Sequence, residues 1–470
     1  MRASSYNIVV KVDNEAGRYA LLNSYTHAFD IVNQNVYQYL KNQDENSSVS
    51  GETKEKLVKR GYMTSLSKED ERELVKRLLN EIYDEVRLKN FGFHFIISYD
   101  CNLRCVYCYE DPILNGCACL PKNRITKEQV DKGYEIIIEK DKNKTGRKTI
   151  HLYGGEPFLA ENYEMLEYIV QKGKGLGYGF SVTSNGYDLD KYLDFIEQNR
   201  TLFSFQITID GVEDIHNERK PHFKNQDSFS KITSNVDSLV KMGVSVSIRI
   251  NTDPYTMERV DELLAYFKER GWYQHPNFKA YCALLRKEVP IKGQDGKLSK
   301  EMFTQSGFYH TFLEKGLEEK GHGKVMCQDY NVQTVLAGLL LGKHISYKSC
   351  FCGAQSGSLI FDPLGDVYSC WDVVGQRDYR VGRYIPDFEL EDRFADRWFN
   401  SKIGECNCIK CKYVLFCGGG CPANAMRTTG KLQSGECNDY PRLFNAAIQR
   451  IYNETVSYTH LRAHETCADL

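Results

Sequence analysis

Residues 98–111 read SYDCNLRCVYCYED and set Cys101, Cys105 and Cys108 in a C-x3-C-x2-C array, after which the run of ligands stops. A structural zinc site takes four protein ligands, and so does an ordinary electron-transfer iron–sulfur cluster. Two readings follow. Either a distant Cys or His, such as Cys117 or Cys119 in the following loop, completes a zinc site, or the array is one ligand short on purpose. The segment before it, FHFIISYD, is β-rich, so the array occupies the loop after a strand.

That strand opens a repeating pattern. Between about residues 91 and 285, β-rich runs alternate with amphipathic helical segments six times: FHFIISYD, KTIHLYGG, GFSVTSN, FSFQITIDG, VSVSIRINT and FKAYCALL, with helices such as KEQVDKGYEIIIEK between them. Strands alternating with helices predict a parallel sheet. Six units fall short of the eight that close a barrel, so the expected fold is α/β, a partial (β/α)6 TIM barrel over 91–320. Its functional residues belong on the loops after the C-terminal ends of the strands.

The residues C-N-L-R-C-V-Y-C-Y resemble the signature of the radical SAM family, whose fold is such a partial barrel. The resemblance implies that Cys101, Cys105 and Cys108 hold a [4Fe–4S] cluster. S-adenosylmethionine (SAM) fills the vacant iron, and one electron cleaves it to a 5′-deoxyadenosyl radical. Further motifs follow in register. HLYGGEP implies that Gly154, Gly155 and Glu156 line the methionine amino group, the two glycines letting backbone approach a ligand closely. TSNG implies ribose contacts from Ser184 and Asn185, and ITIDG brings Thr208 and Asp210. HNER implies Arg219 as a carboxylate partner, and Tyr107 stands where the family contacts adenine.

Residues 321–455 lose the alternation and gain cysteine and glycine. Cys352-x12-Gly365-x4-Cys370, then Cys408-x2-Cys411-x5-Cys417-x3-Cys421 and Cys437, resemble the SPASM module, which carries auxiliary clusters; a zinc ribbon needs only four such ligands. The family pattern implies a second auxiliary cluster on Cys408, Cys411, Cys417 and Cys437, and a first on Cys352, Cys370 and Cys421. Cys350, Cys327 or an open iron completes the first. The total is three [4Fe–4S] clusters. Cys282 and Cys406 read as small buried cysteines. In anaerobic sulfatase maturases an Asp follows the G-x4-C cysteine as proton acceptor. Here Trp371 holds that place, and Asp372, one residue later, is the candidate catalytic base or an ordinary loop carboxylate.

Residues 1–88 begin with YNIVVKV and RYALLNSY, separated by DNEAG. The helical stretch IVNQNVYQYLKN follows, then TKEKLVKRGYM and the capped helix SKEDERELVKRLLNEIYDEVRL. This α+β layout resembles the winged-helix-like element with which peptide-modifying SPASM enzymes bind a leader as an added strand; a dimerisation module is the competing reading. Lys plus Arg number 61 against 63 Asp plus Glu, so global charge gives nucleic-acid binding no support. The longest apolar run, TVLAGLLLG, is about half of the roughly 20 residues a span needs. No signal-peptide pattern opens the chain, so a cytoplasmic protein is expected. The last segment, 456–470, continues no element and reads as a non-native tail, so His460, His464 and Cys467 carry no site.

The expected activity is maturation of a ribosomally synthesised precursor peptide with a leader, by hydrogen abstraction and formation of a thioether or other cross-link. A flavodoxin- or ferredoxin-type protein would be the reductant. Formylglycine formation in a sulfatase is the alternative. A non-catalytic electron carrier or peptide chaperone would not need an open cluster iron.

Overall fold

The computed structural model describes residues 1–42, 49–87, 89, 91–110, 124–142, 148–285, 302–317, 325–341, 343, 345–391 and 397–457. Cys117, Cys119 and residues 458–470 of the expected tail lie outside the described residues, whereas Val456 and Ser457, expected to continue no element, end the helix Tyr440–Ser457.

Three N-terminal strands, β1 (Asn7–Asp13), β2 (Arg18–Asn23) and β3 (Phe29–Val32), form an antiparallel sheet. Three helices follow: α1 (Gln34–Asn42), α2 (Gly51–Lys59) and α3 (Lys68–Val86). Ile31 and Val32, expected at the head of a helix, belong to β3. Asn33 ends the strand by accepting the Val36 amide at 3.1 Å, so the helix starts only at Gln34. Ser67 caps α3 as its sequence suggests, accepting the Asp70 amide at 3.0 Å.

The six expected strands are β4 (Gly92–Ile96), β5 (Lys148–Tyr153), β6 (Tyr178–Ser184), β7 (Phe203–Thr208), β8 (Ser245–Thr252) and β9 (Phe278–Leu284). All run parallel, each beside its sequence neighbour. The sheet does not stop at residue 320. β10 (Val325–Cys327) extends it beside β9, and β11 (Ser358–Phe361) lies parallel to β4 at the other end. Antiparallel β12 (Asp366–Tyr368), β13 (Gly382–Arg383) and β14 (Glu389–Leu390) bring the sheet to eleven strands among the described residues. Short β segments in a cysteine-rich stretch carry no helical partner, so the alternation rule does not detect them.

The barrel strands alternate apolar and polar residues, which parallel strands buried on both faces do not. In β8, Val246, Ile248 and Ile250 are at most 1% exposed, while Ser247 and Arg249 on the other face are half-buried. His94, His151, Ser181 and Ser204 share one register row, so the inner face of the sheet is polar.

The N-terminal sheet is not a separate body. Ile8, Val10, Ala20 and Leu22 join the main core, while Tyr19, Leu21 and Val32 pack with Val36, Leu40 and Leu57 beneath its own helices. The Tyr6 hydroxyl donates to Ile409 O at 2.6 Å, and Gln449 Nε2, on the helix Tyr440–Ser457, donates to Lys11 O at 3.0 Å.

Candidate active site

The loop after β4 folds against the loop after β5. The amide of Gly155 donates to Ser98 O at 3.2 Å, and that of Glu156 to Asp100 O at 2.8 Å. A Cβ on Gly155 would stand 2.2 Å from Asp100 O, so only glycine lets these two backbones meet. The close approach that the sequence suggests is thus made to the thiol loop itself.

Glu156 is 1% exposed and holds the next loop in place. Its carboxylate accepts the Ser184 hydroxyl at 2.8 Å and the amides of Asn185 and Phe158 at 2.6 and 2.9 Å. Burial raises its pKa to about 7 against the pull of those donors. Asn185 reaches on to the thiols, its Nδ2 donating to Asn102 Oδ1 at 2.7 Å and Cys101 Sγ at 3.7 Å.

On the far side, Tyr107 donates its hydroxyl to Asp210 and accepts from Asn251 Nδ2 at 3.1 Å. Asp210 also receives the Asn251 amide at 3.2 Å. Arg219 lies 5.7 Å from the Tyr107 ring centroid and pairs with Asp253 at 3.0 Å, both side chains being fully buried. Its carboxylate partner in this structure is therefore a residue of the chain. The cation facing the thiols is Lys220, whose Nζ donates to Cys105 Sγ at 3.6 Å. Burial opposes its charge, but Cys105 and Asp210 outweigh that and raise its pKa. Thr208 lies beside Arg249 in the β7–β8 register.

Sequence reasoning missed Lys220, Asn251 and Asp253. The last two sit in RINTD at the C-terminal end of β8, where the barrel rule already pointed.

The thiols suit a cluster. Burial pushes Cys101 up to about 12 and raises Cys105 and Cys108, so free thiolates are disfavoured until a metal compensates them. Among the described residues no three His, Cys, Asp or Glu side chains converge tightly enough for a single ion.

Residues 95–267 match the family model described as the Radical SAM superfamily. They form a radical SAM domain. The chain is 26% identical over 376 residues to a cysteine-type anaerobic sulfatase-maturating enzyme of Clostridium perfringens, covering 76% of this chain and 95% of that one. It is 24% identical to the radical SAM cyclopropyl synthase TigE of Paramaledivibacter caminithermalis, covering 94% and 91%. The fold is shared with a solved structure, native anSMEcpe with bound AdoMet and Cp18Cys peptide, at TM-score 0.58 and 20% identity over 78% of this chain and 99% of that one. The chain is a radical SAM enzyme.

Behind the radical SAM domain, the C-terminal thiols fall into two neighbourhoods. Cys417 is pushed up to about 12 by burial, with Cys437 and Cys411 adding to it, and Cys408 feels Cys417 and Cys411. Cys370 is raised by burial and then by Asp372, Cys352 and Cys421. Cys350 is raised by burial and has Ser356, Lys348 and Ser349 as polar neighbours. Gly418, Gly419 and Gly420 all have positive φ, and a Cβ on Gly420 would stand 1.7 Å from Glu436 O. This crossing brings the 417–421 segment against the strand of chain that carries Cys437. Cys406 accepts the Cys408 amide at 3.4 Å. Cys282 and Cys327 are neighbours in the β9–β10 register of the barrel sheet.

Trp371 packs on Tyr153 at 4.0 Å and edge-on to His94 at 4.4 Å, so the residue after Cys370 reaches the polar barrel interior. Asp372 lies 3.6 Å from Arg427 Nη1, with its side chain 14% exposed.

Proposed function

We propose that this radical SAM enzyme modifies a ribosomally synthesised precursor peptide, forming a thioether or other cross-link. Peptide substrates are consistent with the peptide bound in the anSMEcpe structure. One observation favours this reading over formylglycine formation. The sulfatase-maturating relative leaves about a quarter of this chain unmatched, whereas the cyclopropyl synthase aligns over 94% of it. In this reading residues 1–88 are the leader-binding element, and their small sheet is tied to the cysteine-rich module by Tyr6 and Gln449. There the leader would add a strand.

In this reading Cys101, Cys105 and Cys108 hold the SAM-binding cluster. With SAM bound, the group supplies a 5′-deoxyadenosyl radical after one-electron reduction. Gly154, Gly155 and Glu156 shape the pocket for the methionine amino group; Ser184 and Asn185 face the ribose; Tyr107, Thr208 and Asp210 close the adenosyl side. Arg219 holds Tyr107 in place through its pair with Asp253. Residues 321–455 form the SPASM module. Cys408, Cys411, Cys417 and Cys437 hold one auxiliary [4Fe–4S] cluster, and Cys352, Cys370 and Cys421, with Cys350 as candidate fourth ligand, hold the other. Asp372, beside Cys370, is the candidate base, and a flavodoxin- or ferredoxin-type protein is the reductant.

Formylglycine formation is the second reading, carried by the identity to the Clostridium perfringens relative. Trp371 in place of the expected Asp, and the pairing of Asp372 with Arg427, weigh against it.

Anaerobic reconstitution tests the proposal. About twelve irons per chain and 5′-deoxyadenosine are expected, falling to about eight irons and no product in the Cys101/Cys105/Cys108→Ala variant. Four metal equivalents or fewer, with no SAM cleavage, would overturn it. Conversion of a sulfatase cysteine peptide to formylglycine would move the assignment to the second reading.

A further inference from the structure

The segment after Lys220 is laced onto the thiol loop from outside. The Arg104 amide donates to Pro221 O at 2.9 Å, and the Phe223 amide to Asn102 O at 3.0 Å. Leu103 and His222 form a β-bridge between them. Arg104 Nη1 in turn donates to Cys101 O at 2.7 Å. Arg104 and residues 221–224 thus pack against the backbone of the loop that carries Cys101 and Cys105.

Phe223, 47% exposed, is the one aromatic ring among the exposed large apolar side chains of the described residues. It sits between two cations, with Arg104 Cζ at 5.5 Å and Lys224 Nζ at 5.1 Å from its centroid. Neither cation makes an ion pair with a carboxylate among the described residues, whereas nearby carboxylates are taken up. Lys231 lies 3.7 Å from Asp188 and 3.3 Å from Asp190, and Asp227 accepts from Asn217 and Ser230. With a net charge of only −2, the chain has no general attraction for an acidic protein, so any such attraction has to be local.

We infer that this patch, Phe223 flanked by Arg104 and Lys224, is where an acidic one-electron carrier protein docks to reduce the Cys101/Cys105/Cys108 centre. The inference rests on the proposed radical SAM function, which needs one electron at that loop. The carrier's reduced centre loses one electron and the cluster gains it; no bond is made or broken and no proton moves in this step. The exposed ring supplies the desolvated centre of the contact, and the two cations supply attraction and orientation for surface carboxylates of the carrier.

The test compares two electron sources on the reconstituted full chain: a flavodoxin with its reductase, and dithionite. Formation of 5′-deoxyadenosine, and the Kd for the flavodoxin by fluorescence anisotropy, are measured for wild type, Lys224→Glu, Phe223→Ala and Lys224→Arg, and the Kd should rise in the first two variants in step with the loss of flavodoxin-driven cleavage. Flavodoxin-driven cleavage should slow by about tenfold or more in Lys224→Glu and Phe223→Ala, and stay near wild type in Lys224→Arg. Raising salt from about 50 to about 500 mM should slow the wild-type flavodoxin reaction and leave the dithionite reaction unchanged. Dithionite-driven cleavage should be the same in all four proteins. Equal losses with both reductants, or no loss with flavodoxin, would overturn the docking site while leaving the radical SAM reading intact. Absence of dithionite-driven cleavage in wild type would overturn that reading and the docking site with it.

Discussion

Lys220 Nζ stands 3.6 Å from Cys105 Sγ, while Arg219, one residue earlier, turns onto Asp253 at 3.0 Å. Two adjacent cations thus do different work, one facing the thiols and one closing the wall behind Tyr107.

Lys220→Met removes a positive charge beside a sulfur that becomes anionic on ligation. We expect iron content to be kept and the midpoint potential of the SAM-binding cluster to fall by on the order of 50 mV. Potentiometric titration followed by EPR measures it, and Lys220→Arg should restore most of the shift. An unchanged potential in Lys220→Met would show that this charge is not felt by the cluster.

Asp253→Asn leaves the guanidinium of Arg219 buried without its charge partner. The expected loss is about 3–5 kcal/mol of stability, read from chemical denaturation. Asp253→Glu, which keeps the charge, should lose less.

Gly155→Ala drives a methyl group into Asp100 O and Tyr99 O, 2.2 and 2.5 Å from the new Cβ. The thiol loop must shift, so reconstituted iron at the first site should fall by about half or more. Gly175→Ala, at the end of the helix Tyr163–Gly175 with nothing within 4 Å of the added Cβ, is the control. It should keep full iron and gain up to about 1 kcal/mol.

Asp362 is fully buried, and burial, then the charge of Asp366, raises its pKa from 3.8 to about 7. The native state therefore keeps a proton that the unfolded chain releases. The associated stability is complete below pH 3.8 and is lost as pH rises through about 7, with a slope of up to about 1.4 kcal/mol per pH unit. Glu156, also raised to about 7 by burial, adds a slope of the same sign. Urea midpoints of the metal-free protein across this range should fall with pH, and Asp362→Asn should flatten the curve by about one proton's share. An unchanged curve in Asp362→Asn would mean that Asp362 is not the titrating group.

The barrel was legible because its signals are local. FHFIISYD, VSVSIRINT and their companions alternate with helices that carry their own caps, such as Thr126 and Gln129 on Lys127–Lys140. The polar inner face was present in the same alternation, at Ser247, Arg249 and Asn251, and a period-2 reading recovers it. Asn33 shows the opposite case: a single side-chain hydrogen bond moved the start of a helix past two apolar residues that suited either state.

The sequence by itself determined the alternation of parallel strands with helices and the position of Cys101, Cys105 and Cys108 after the first strand, which follow from periodicity and from short spacing along the chain; the motif residues after the later strands came from the resemblance to the radical SAM family. Only the tertiary structure decided that Ser358–Phe361 joins the sheet beside the first barrel strand, and that Trp371 enters the barrel interior. It also decided that Lys220 rather than Arg219 faces the thiols. These depend on contacts between residues far apart in sequence, or on which way adjacent side chains turn. No local preference encodes them, because burial and hydrogen bonding are settled only when the whole chain packs.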